Sequence, residues 1–134
     1  MSRLPRALEY LKTGFNAEAA SAARCRAAAA RATRDRRPKL AEAWLALAAE
    51  KDALAIRQLE ATGQLHGGER DLAAAIAEEH YENESLYPRM QREVDPETAA
   101  VFQAVIGQQV EHLARLEKLL EEVTTTTGDF AAAS

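Results

Sequence analysis

The sequence predicts an all-α fold, a bundle of four helices, on three observations. Apolar residues recur in alternating steps of three and four over four segments, the spacing of one buried helical face. The composition is 47% apolar but only 5% aromatic, and its wealth of Ala suits closely packed helices better than a sheet core. Turn signals separate the segments: Pro38, then Gly63, Gly67 and Gly68, then Asp95-Pro96.

The first helix is expected from about Leu4 to Thr33, with Leu8, Leu11, Phe15, Glu18, Ala22, Cys25, Ala29 and Ala32 on its inner face. Asp35 to Pro38 ends it, because Pro lacks an amide donor and restrains the residue before it. The second helix runs from Lys39 to Thr62, with Leu40, Ala43, Leu47, Glu50, Leu54, Arg57 and Ala61 inward and Trp44 at the flank. The three glycines stop it. The third, Glu69 to Arg92, aligns Leu72, Ile76, Glu79, Glu82, Leu86 and Met90, with a kink expected at Pro88. Asp95 then caps a fourth helix whose first turn holds Pro96. Phe102, Val105, Gln109, His112, Leu116, Leu119 and Val123 share its inner face. On this reading residues 4–123 are one domain and residues 124–134 a flexible tail.

Each inner face is interrupted by polar residues near its middle: Glu18, Glu50, Glu79 with Glu82, and Gln109 with His112. An unpaired carboxylate in an apolar interior costs on the order of several kcal/mol. Facing carboxylates raise one another's pKa or are neutralised by a cation. Glu79 and Glu82 are three residues apart, hence neighbours on one face, and so are Gln109 and His112. Carboxylate oxygen with imidazole nitrogen suits iron, manganese or zinc. Arg57, two turns beyond Glu50, is the competing partner, with reach for one acid but hardly four.

"AIAEEHYENESLYPRM" and "VFQAVIGQQVEHLARL" resemble the third and fourth helices of the rubrerythrin family of ferritin-like proteins. "YLKTGFNAEAASAARCRA" and "LAEAWLALAAEKDALA" are similar to its first and second, so the resemblance covers about residues 8–122. It implies a ferritin-like four-helix bundle with Glu18, Glu50, Glu79, Glu82 and His112 as metal ligands. Ala53 stands where the family has a histidine, and Gln109 where it has a glutamate. The resemblance implies non-haem iron, one or two ions, with manganese or zinc as alternatives, in peroxide or iron handling. Glu50, Glu82 and His112 would hold the better-occupied ion, with Glu18 and Glu79 completing or flanking it. An enzyme of this kind would be a non-haem iron peroxidase or a ferroxidase-like oxidoreductase. The two departures support the alternative of a metal-binding or structural helical bundle without redox turnover.

The formal charge of -4 gives no global attraction to nucleic acid, and the basic run from Arg31 to Lys39 reads as a solvated helix end. Cys25 is the one cysteine, which excludes a disulfide framework and a four-cysteine rubredoxin site. It reads as a small core residue, so any redox turnover would need a separate electron-donor protein. His66 reads as a cap or surface residue, His80 as exposed, and Tyr81 and Tyr87 as packed between helices. No stretch approaches the ~20 apolar residues of a membrane span, and a cytoplasmic protein is expected. The central turn "GQLHGG" reaches roughly 20 Å when extended, less than a bundle's length. A homodimer is therefore expected, with a domain-swapped arrangement in which helices one and two of each chain pack on three and four of its partner as one solution.

Overall fold

The computed structural model describes residues 4–126, which hold helices and no strand. The elements are α1 (Ala7–Arg34), α2 (Pro38–Ala61), α3 (Gly68–Tyr81), a π-helical turn (Glu82–Leu86), α4 (Tyr87–Arg92) and α5 (Pro96–Thr125). Since α3, the π turn and α4 follow one another without a gap, the chain has the four helical arms of the expected all-α class. It divides between Leu65 and His66 into two compact units. Each is a helical hairpin, α1 with α2 and α3–α4 with α5.

In the first hairpin the small residues do the packing. Ala22, Cys25, Ala29 and Ala32 of α1 are buried, as their three-four spacing predicts, together with Ala41, Ala48 and Ala55 of α2. The α2 residues recur every seventh position, so they form one straight seam. Trp44 packs partly buried against Ala29, Ala32 and Ala41. The predicted α2 face is corrected by one residue: Leu40, Leu47, Leu54, Glu50 and Arg57 are exposed. A one-residue step turns a helix face by about 100°. The seam of α1 is built from small side chains, so a facing row of Ala permits a close approach that Leu would prevent.

Two hydrogen bonds running backward close the end of α1. Arg37 N–H donates to Ala32 O and Arg36 N–H to Thr33 O, with Arg36 left-handed at φ 59°. Glycine is the usual residue there because it has no Cβ to crowd the carbonyl. Pro38 then occupies the first turn of α2, where no amide donor is required.

The second hairpin starts from Asp71, whose carboxylate accepts from the His66 and Gly67 amides at 2.9 Å each. Those two N–H groups, that of His66 foremost, hold the Asp71 carboxyl below its ordinary value. Asp95 caps α5 as the sequence predicts, accepting from Thr98 N–H at 2.9 Å and from its hydroxyl at 2.7 Å. The irregularity expected at Pro88 lies one turn earlier. Pro88 cannot donate to the carbonyl four residues back and crowds it. The chain widens ahead of it, and Tyr87 N–H reaches Glu82 O, five residues away.

No residue of α3, α4, the π turn or α5 is fully buried. Tyr87 packs on Phe102 with ring centres 5.8 Å apart, whereas Tyr81, expected between helices, is exposed. Of the predicted tail, Thr124 and Thr125 belong to α5; residues 127–134 lie outside the described range. None of the described helices is long and apolar enough to cross a membrane.

Candidate functional site

The five predicted ligands are shared between the two hairpins, Glu18 and Glu50 on the first, Glu79, Glu82 and His112 on the second. Glu18 sits on α1 beside Lys51 of α2, whose Nζ donates to Glu18 Oε2 at 3.2 Å with both side chains about two-thirds buried. Arg26 and Asp52 make a second cross-helix pair at 2.7 Å, and it is half-exposed. Lys51, not Arg57, is thus the cation that answers Glu18. Glu50 lies on the exposed face of α2, and Ala53 beside it offers no ligand atom.

In the second hairpin Gln109 Nε2 of α5 donates to Glu82 Oε1 at 2.8 Å. The amide takes the carboxylate lone pair that a bridging ion would otherwise use. Four side-chain polar atoms of three residues in this hairpin stay unsatisfied. Glu79 Oε2, Gln109 Oε1 and both amide atoms of Asn83 are buried without a hydrogen-bond partner among the described residues. Glu79 and His112 line one open depression along α3 and α5, together with Ala75, Leu116 and the cations Arg115 and Lys118. His80 is half-exposed, with Nδ1 3.0 Å from Glu84 and Nε2 3.6 Å from Glu117.

Among the described residues no three of His, Cys, Asp and Glu are grouped so as to hold a metal ion. The donor set does not fit a bridged two-ion centre. Gln109 is neutral and already engaged, Glu18 has a lysine, Glu50 is exposed, and Ala53 is inert. Arrayed this way, the groups can hold acids in place by hydrogen bonding and ion pairing. Cys25 is unpaired and 6% exposed, a core residue of the α1 seam.

Sequence reasoning missed two participants. Lys51 could have been found from the Ala41–Ala48–Ala55 repeat, which places position 51 at the edge of the seam and near Glu18. Asn83 has no comparable signal, because its burial depends on the widened turn before Pro88. Compared with models of known protein families and with curated proteins, the chain matches none.

Proposed function

We propose that this is a helical protein of the ferritin-like, rubrerythrin-related kind that works without redox turnover. The observation that carries the reading is the 2.8 Å hydrogen bond from Gln109 to Glu82. A neutral amide stands where the resemblance implies a carboxylate ligand, and it supplies a donor rather than a negative charge. Lys51 does the same for Glu18 with a full positive charge. Glu82 and Glu18, which would cost energy if left bare, are thereby each supplied with a donor by the chain itself. A cytoplasmic setting is part of the reading, since the single unpaired thiol of Cys25 suits a reducing compartment. The test is peroxide consumption by the full chain supplied with Fe(II) and an external reductant. No catalysed consumption above the same iron in buffer is expected. Multiple turnovers per chain, abolished by His112→Ala, would overturn the reading.

A second reading is a protein that holds a metal ion, iron first, with manganese or zinc as alternatives, for peroxide or iron handling. It is favoured by Glu79 Oε2, buried without a partner along the same depression as His112. If such a protein were redox-active, a separate electron donor would be required. Elemental analysis of chain purified without chelator separates the readings. Stoichiometric metal that is lost in Glu79→Gln and His112→Ala supports the second, and its absence the first.

A further inference from the structure

The turn between α1 and α2 gathers cations that the stability of its helices does not call for. From Arg31 to Lys39 the chain carries Arg31, Arg34, Arg36, Arg37 and Lys39, all exposed, against the single acid Asp35. Arg31 takes that acid at 3.2 Å. Arg34, Arg36, Arg37 and Lys39 make no ion pair among the described residues. Arg31 and Arg34 lie in the last turn of α1, where the helix dipole favours positive charge, so a solvated helix end accounts for them. It does not account for the next three. Arg36 is left-handed at φ 59°, where glycine or asparagine is the usual residue. Arg37 is the N-cap residue of α2 and makes no side-chain hydrogen bond to its amides. Lys39 follows in a first turn that holds no acid, against the positive end of the dipole.

The residues of the tip select among anionic partners. Four of the five cations are arginines, whose forked donors match phosphate oxygens two at a time. From Arg31 to Lys39 the only apolar side chains are Pro38 and the buried Ala32. The tip thus lacks the large apolar anchor that a protein interface or a bilayer surface uses beside charge. It also holds no aromatic residue, and nearby Trp44 is packed partly buried against Ala29, Ala32 and Ala41. Single strands are held by stacking on exposed aromatic rings, which leaves the duplex, the denser line of phosphates.

We propose that the α1–α2 tip binds the phosphate backbone of duplex nucleic acid without regard to sequence, through Arg34, Arg36, Arg37 and Lys39. The contact stands independently of whether the protein holds a metal ion or turns over peroxide.

The test is fluorescence anisotropy of a short mixed-sequence DNA duplex titrated with the full chain. Four phosphate contacts predict a slope of log K against log salt of about -3.6, roughly a hundredfold loss between 50 and 200 mM NaCl. Combining Arg34→Gln, Arg36→Gly, Arg37→Gln and Lys39→Gln is expected to weaken binding at 50 mM NaCl by at least about tenfold. The same variant is expected to melt no lower than the parent, because the cations it loses oppose the local backbone and dipole. Lys12→Gln with Arg70→Gln, Arg89→Gln and Arg92→Gln removes as much charge elsewhere and is expected to change binding less than about threefold, since those residues make no phosphate contact. In the unaltered chain, the duplex is expected to protect Lys39 from acetylation while Lys12 and Lys118 stay reactive. Five results would each overturn the proposal: no duplex binding at 50 mM NaCl, equal loss in the two variants, a tip variant that melts below the parent, unprotected Lys39, or stronger binding to phosphatidylserine vesicles or polyglutamate than to the duplex.

Discussion

Gln109 Nε2 lies 2.8 Å from Glu82 Oε1, joining α5 to the start of the π-helical turn. This pair satisfies one carboxylate oxygen and leaves Gln109 Oε1 buried without a partner. The contact determines how the hairpin responds to a change at either residue.

Gln109→Glu replaces the donor by a second acid. At neutral pH the variant is expected to lose a hydrogen bond to a charged group, worth roughly 1.5–3 kcal/mol, and to gain like-charge repulsion. Thermal melts of both chains at pH 7.5 check the sign.

Lys51→Met leaves the largely buried Glu18 without its cation. Both side chains remain partly solvated, so the pair is expected to contribute only about 0.5–1 kcal/mol after screening. A double-mutant cycle with Glu18→Gln measures the coupling by urea unfolding. A coupling indistinguishable from zero would count against the pair as the answer to the buried acid.

Ala48→Leu adds three carbons at a seam position that is only 3% exposed. The expected cost is roughly 1–3 kcal/mol from overpacking. Leu45→Ala, on an exposed flank of the same helix, is expected to cost much less. Denaturant midpoints of the two variants give the comparison directly.

Arg36 occupies a left-handed position at φ 59°. Arg36→Gly removes the Cβ crowding of that conformation, about 1–2 kcal/mol, and gives back part of the gain through the freer unfolded chain. A net rise of up to about 1 kcal/mol is expected on these opposing effects. Arg36→Val, branched at Cβ, should fall on the other side of the parent in the same melt.

Asp71 and Asp95 both have carboxyl groups held below the ordinary 3.8, the first chiefly by the His66 amide and the second chiefly by the Thr98 hydroxyl. A lowered folded-state pKa stabilises the fold above 3.8, and that contribution is lost as pH falls through the lower folded values. Asp71→Asn and Asp95→Asn should therefore melt below the parent at pH 6. The gap should close below pH 3.8, as read from helical circular dichroism.

The four helical arms were legible because helix periodicity and its stop signals are local. Asp95 reads as a cap from its place before Pro96, and the α1 seam from Phe15 to Ala32 reads from spacing alone. The sequence by itself also determined that acids would interrupt those faces, at Glu18, Glu79 and Glu82. The tertiary structure decided which α2 face meets α1, since Leu40–Leu54 and Ala41–Ala55 have the same period. Only contact with a seam of small residues selects the Ala row, because close packing rewards the shorter side chain. That choice moved Glu50 to the surface and brought Lys51 to Glu18. It also decided how the acids are answered, since a cation or amide from another helix comes within hydrogen-bonding distance only once two helices have packed.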